Sequence, residues 1–201
     1  MTESFGLAFV LAWLLAIPSA QGEELAPDLV LKRMSEAVIA EIRQEKAIQA
    51  GDPAKMAALV EAKVVPHFDF RRITQIAVGR AWRSATPEQQ EKLAAEFKTL
   101  LVRTYSGALA SYRDHTIEFR PLRMRPEESE VTVRSQVRQP GMQPIDIEYD
   151  LAKSGPGWKV FDVRISGISL VATYRTSFAE EVRNSGVDGL IALLARKNRQ
   201  G

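Results

Sequence analysis

The chain has 201 residues, no cysteine, and 27 lysines and arginines against 25 aspartates and glutamates. Without cysteine it has neither a disulfide framework nor a thiolate metal cage. A net charge of +2, with bases interspersed among acids, argues against a protein that reads nucleic acid through one basic face.

Met1 to about Ala20 reads as a secretory signal. Phe5 to Ile17 is an uncharged apolar run of about 13 residues, too short for a bilayer span and suited to an h-region. Small residues place the cut after Ala20 or Gly22. The leading MTES departs from the usual pattern, because it holds Glu3 and no base. Residues 1–22 are therefore expected to be a signal peptide and 23–201 a single domain, the mature chain carrying +3. Roughly 180 residues suffice for one domain with a real core. No second apolar run approaches the ~18 residues of a membrane span, so the mature chain is expected to be soluble.

Leu29 to Gln49 places Val30, Met34, Val38 (or Ala37) and Ile42 at helical spacing. Gly51-Asp52-Pro53 ends that helix and starts another, with Asp52 as N-cap and Pro53 in the first turn. This second helix runs to about Val64, and Pro66 ends it. The stretch from Val64 to Tyr112 is the most informative in the chain. It has more apolar and aromatic surface than one helix stripe needs, and holds no nucleophile, metal cage or phosphate loop. Thr86-Pro87-Glu88-Gln89 reads as a capping box with proline in the first turn. Leu93, Phe97, Leu100, Leu101, Tyr105, Ala108, Leu109 and Tyr112 then share one broad face, which predicts a long central helix touching more than one neighbour.

Four strand-like runs follow: around Ile117 and Phe119, Val131 to Val137, Ile145 to Leu151, and Trp158 to Ile165. Pro140-Gly141 and Ser154-Gly155-Pro156-Gly157 supply turns. Asp146, Glu148 and Asp150 alternate with Ile145, Ile147, Tyr149 and Leu151, so the meander has a wet face, where Arg134 and Arg138 meet those acids. Gly167 breaks the pattern. Leu170 to about Asn184 reads as helix, Ser185-Gly186 as its stop, and Val187 to Ala195 as a last short helix. The fold class is α+β: a twisted four-stranded antiparallel sheet with helices packed over one face, enclosing an apolar pocket.

Reactive chemistry finds little support. His67 and His115 are the only histidines, 48 residues apart, and their spacing gives no metal site with Asp69 or Asp162. Gly167-Ile168-Ser169-Leu170-Val171 lies where a nucleophile elbow would, but Val171 replaces the closing glycine, so Ser169 reads as an N-cap. Ser106 sits within the long helix. Gly155-Pro156-Gly157 matches no nucleotide loop. Asp162 shares strand parity with Trp158 and Val160, which leaves open a small cone-fold enzyme with that carboxylate as general base. Arg71-Arg72 and the group Arg120, Arg123, Arg125 are solvated bases or guides to an anionic membrane or acidic partner.

The segments VVPHFDFRRITQIAVGRAWRSATPEQQ, FKTLLVRTYSGALASY, WKVFDVRISGISLVATYRTSF and GVDGLIALL resemble the periplasmic phospholipid-carrier family of the Mla (maintenance of lipid asymmetry) pathway, the toluene-tolerance proteins. The resemblance runs from about Leu29 to Asn198. It implies a shuttle of the periplasm that holds phospholipid tails in a deep apolar pocket, head group exposed, and that needs no cofactor or metal. It also implies partners: an inner-membrane ABC lipid transporter and an outer-membrane lipoprotein–porin complex. Carried onto this chain, the pocket residues are Phe68, Phe70, Ile73, Val78, Trp82, Phe97, Leu101, Tyr105, Tyr149, Val163, Ile165, Val171 and Tyr174. No catalytic residue transfers. A carrier of the same fold for another lipid, hopanoid-like, is the alternative.

Overall fold

The computed structural model describes residues 25–109, 115–155 and 157–200. The expected signal peptide and Tyr112 lie outside them. Among the described residues six α-helices and five strands follow one another. α1 spans Pro27–Gln44, α2 Lys46–Gln49, α3 Pro53–Lys63, α4 Phe70–Val78 and α5 Pro87–Leu109. β1 (Thr116–Phe119), β2 (Glu130–Arg138), β3 (Ile145–Ser154), β4 (Gly157–Ile165) and β5 (Ile168–Ser169) form one antiparallel meander, and α6 (Leu170–Gln200) closes the chain.

Local chemistry sets most helix starts. Asp52 Oδ1 accepts from Ala54 N at 2.9 Å and Lys55 N at 3.1 Å. The Thr86 box forms both ways, Gln89 N donating to Thr86 Oγ1 at 3.2 Å and Thr86 N to Gln89 Oε1 at 3.0 Å. The single helix expected over 29–49 is interrupted at Glu45, whose extended backbone (ψ 106°) restarts the chain as α2, capped by its own carboxylate accepting from Ala47 N. Three elements of the aromatic stretch had no sequence assignment, the first a 3-10 segment at Val65–His67. α4 is capped by Asp69, which accepts from Arg72 N at 2.9 Å, and is stopped by Gly79 at φ 66°. A 3-10 segment, Gly79–Arg83, follows.

The sheet has five strands where four were expected. Ser166 and Gly167 both have positive φ (49° and 82°), the twist that suits a two-residue reversal, and Ile165 pairs back onto Ile168. In β4 the register skips: Leu151 pairs with Val160, Asp150 with Asp162, so Phe161 is the extra residue of a bulge. On the wet face Arg134 donates to Glu148 at 2.7 Å and Arg164 to Glu148 at 2.9 Å, with Arg164 also bound to Asp150. Hydrogen bonds from Arg164, then Arg134, hold the Glu148 carboxyl below its usual range. Arg138 turns back to Glu118 of β1 at 3.0 Å, not to the next strand's acids.

Three apolar cores result. One lies among α4, the 3-10 segment, α5 and α6 and includes Val78, Trp82, Phe97, Phe178, Leu190 and Leu194. A second puts Leu31 and Met34 of α1 on the sheet's dry face, against Val133, Val137, Ile147, Tyr149 and Leu151. The third joins α1, α2, α3 and α5 through Val38, Ile42, Ile48, Met56, Val60 and Val102. Among the described residues no helix is long and apolar enough to cross a membrane.

Candidate functional site

A cavity of about 250 Å3 occupies the junction of the three cores. Each contributes wall: Ile73 and Val171 from the first, Met34, Val137, Ile147 and Tyr149 from the second, Val38, Val60 and Val102 from the third. The α4 end of the wall is pinned to the sheet, since Asp69 N donates to Val160 O at 2.9 Å and Phe68 bridges Val160. That anchor turns Phe68 and Phe70 into the space, with ring centroids 5.9 Å apart. α5 runs along the space and lends it Leu101, Val102, Tyr105, Ser106 and Leu109.

Nine of the thirteen residues assigned to the pocket line this cavity: Phe68, Phe70, Ile73, Leu101, Tyr105, Tyr149, Val163, Ile165 and Val171. Val78, Trp82, Phe97 and Tyr174 do not. Val78, Trp82 and Phe97 are at most 5% exposed and fill the first core, where Phe97 meets the rings of Tyr174 at 4.9 Å and Phe178 at 5.0 Å. Their surface is satisfied by each other, so no space is left beside them. Burial, then a hydrogen bond with Tyr105, pushes the Tyr174 phenol above its ordinary range. Sequence reasoning missed the α1 and α3 wall (Met34, Ser35, Ile39, Val60) and three inward strand residues, Ile117, Val137 and Ile147. The strand alternation already placed Val137 and Ile147 on the dry face; nothing local marked them as facing a void.

The polar groups at the wall are few and mostly engaged. The Phe161 bulge breaks the strand parity of Asp162 with Trp158 and Val160 and sets it opposite Asp150, and Asp162 lines the cavity half-buried. Its Oδ1 accepts from Val163 N at 2.8 Å and from Val171 N at 3.4 Å, tying β4 to the first turn of α6. Ser169 accepts from Ala172 N at 3.0 Å and is an N-cap of α6. Among the described residues no three His, Cys, Asp or Glu side chains gather to hold a metal. A cavity so lined sorts ligands by hydrocarbon content: it offers dispersion contacts and removal from water, and little to activate a bond.

Comparison with known proteins agrees with this chemistry. The family model described as MlaC protein matches residues 32–196. The intermembrane phospholipid transport system binding protein MlaC of Haemophilus influenzae is 22% identical over 197 residues, covering 96% of this chain and 92% of that protein. The toluene tolerance protein ttg2D of Pseudomonas putida is 29% identical over 106 residues, about half of each chain. Among solved structures, the phospholipid-binding protein of Ralstonia solanacearum in complex with a phospholipid superposes with a TM-score of 0.81 at 41% identity. That match covers 88% of this chain and 98% of the other.

Proposed function

The chain belongs to the MlaC protein family, and on that premise we propose that it is a periplasmic phospholipid carrier whose cavity shelters the acyl tails between membranes. In this reading residues 1–22 direct export and 23–201 form the carrier. The nine cavity residues of the sequence assignment, with the α1 and α3 wall, contact the tails. The inner-membrane ABC transporter and the outer-membrane lipoprotein–porin complex are its donor and acceptor, and the traffic maintains outer-membrane lipid asymmetry. The observation that carries the proposal is the hollow itself: about 250 Å3 of apolar space at the junction of three otherwise filled cores. A relative 41% identical to this chain is described in complex with a phospholipid.

Energetics say what such a pocket does. Two tails of about 16 carbons release on the order of 25 kcal/mol on leaving water, at ~0.8 kcal/mol per methylene. A bilayer gives the same tails a comparable home, so net transfer from membrane to carrier is a small difference between large terms. The pocket therefore lowers the barrier to crossing water, and docking to partners decides direction. Mass spectrometry of an organic extract of the mature protein tests the reading. The expected result is phospholipid in near-stoichiometric amount, lost when Ile165 is replaced by Glu, which puts a carboxylate on the cavity wall. An extract free of lipid, or unchanged content in Ile165→Glu, sinks the assignment.

A further inference from the structure

A second concavity of about 730 Å3 runs along the opposite side of α4 from the cavity, and it is charged. Its walls carry four arginines, Arg71, Arg72, Arg83 and Arg175, against one acid, Asp69. Two of the guanidinium groups are held in place. Arg71 donates to Gln90 Oε1 at 2.6 Å and lies 5.4 Å from the Trp82 ring centroid. Arg72 pairs with Glu130 at 2.7 Å and stacks 3.6 Å from the Phe161 ring, the bulge residue of β4. The guanidinium groups of Arg83 and Arg175 make no hydrogen bond or ion pair with any described residue. Set against Asp69 and Glu130, the four leave a surplus of two positive charges, as much as the whole chain carries.

A solvated basic face needs no such arrangement. Like charges drawn to one concavity repel, and fixing a guanidinium on an aromatic ring gives up rotamer freedom. Among the described residues no acid pairs with Arg83 or Arg175, so the groove is organised for an anion from outside. The charges sit on three elements, α4, the 3-10 segment and α6, over a floor that includes Ile76 and Gly79. A single phosphate needs donors gathered on one point. Guanidinium forks carried by three different elements around a partly apolar floor suit several carboxylates on one chain, each able to take a bidentate pair.

We propose that this groove docks an acidic polypeptide segment of a partner protein, whose carboxylates pair with Arg83 and Arg175. Ile73 and Val171 line the cavity while Arg72 and Arg175, on the same two helices, line the groove. A docked segment therefore spans α4 and α6, two walls of the cavity.

The probe is a labelled glutamate-rich peptide titrated into the full mature protein at low salt by fluorescence anisotropy. The test variant is Arg83→Glu with Arg175→Glu; the control, Arg196→Glu with Arg199→Glu on the last turns of α6, has the same net charge. The groove variant is expected to bind at least about tenfold more weakly than the control, with wild-type affinity falling as salt rises. Equal loss in both variants, or none in either, overturns the proposal. So does loss of binding to phosphatidylglycerol vesicles in the groove variant while peptide affinity stays unchanged, which would assign the groove to a lipid surface. Should charge reversal impair folding, Arg83→Gln with Arg175→Gln is read the same way. The proposal stands apart from the carrier reading: protein free of lipid that still binds the peptide through these arginines leaves the groove in place and removes only the cargo.

Discussion

Filling the hollow from within is the sharpest test of how it works. Val102, 7% exposed, stands on α5 at the cavity wall. At ~10–15 Å3 per water-sized group, the 250 Å3 of the cavity takes roughly 20 methylene-sized groups. Two C16 tails bring about 30, so even the wild-type cavity must widen to take a whole diacyl lipid. Val102→Trp adds about seven side-chain heavy atoms, which removes about a third of the space. At ~0.8 kcal/mol per methylene kept from water, that is about 6 kcal/mol of lost shelter, or roughly a ten-thousandfold change in partition if the walls do not yield. The ring enters a void, not a filled core, so overpacking strain is small and the melting temperature of lipid-free protein is expected to hold or rise. Quantitative mass spectrometry of extracted lipid per mole of protein gives the answer. Diacyl phospholipid is expected to fall more than tenfold while single-chain lipids remain. Wild-type diacyl content in Val102→Trp, with the protein folded, would refute the reasoning.

Asp162→Ala removes acceptors for two backbone amides, and is expected to cost about 0.5–2 kcal/mol in urea denaturation with lipid content kept. Lost lipid with unchanged stability would mean that the carboxylate serves the ligand and not α6. Gly186 sits at φ 70°, ψ −176° inside α6, with nothing within 4 Å of an added Cβ, so Gly186→Ala should cost about 1–3 kcal/mol from backbone strain alone. An unchanged denaturation midpoint would show that the chain relaxes there. Burial first, then the charge of Lys159, lowers the His67 pKa from its ordinary 6.5. The fold thus prefers neutral His67: no penalty exists above 6.5, and stability is lost as pH falls below that value through the folded-state pKa. His67→Gln should flatten this part of the stability–pH curve, and a slope equal to wild type counts against it.

Features written in a few neighbouring residues were legible. The Asp52 cap and the Thr86 box needed only their own side chains, and both formed. α4 was not, because nine residues give too short a window for helical periodicity, and 3-10 segments at Val65–His67 and Gly79–Arg83 flank it. The break at Glu45 carries no glycine or proline to announce it. The partial burial of Asp162 was read correctly, but not its register, because parity assumes an unbroken ladder and the Phe161 bulge breaks it. The last helix outran its expected end at Ala195 for a tertiary reason: Asn198 donates to Glu96 O at 2.9 Å and to Glu96 Oε2 at 2.7 Å, fixing the final turns against α5. The site shows the same division. Aromatic excess told which side chains are inside, but Trp82 beside Leu93 is inside a solid and Phe68 beside Leu101 is inside a hollow. Residue type alone cannot separate the two.

What separates them is a relation among the three cores. Each closes on its own residues, and the faces left over (Ile73 with Val171, Ile147 with Tyr149, Val60 with Val102) look at one another across space too wide to fill. Such space is destabilising. At ~24 cal/mol per Å3, a void of 250 Å3 forgoes on the order of 6 kcal/mol relative to a collapsed interior. That rivals the ~5–15 kcal/mol by which a domain of this size is stable at all. Larger side chains at Ser35, Ser106 or Ala108 would recover part of it, and the chain keeps small residues at all three. An interior held open against that gradient is best explained by an apolar occupant that restores the missing contacts. On this argument the empty protein is less stable than the filled one.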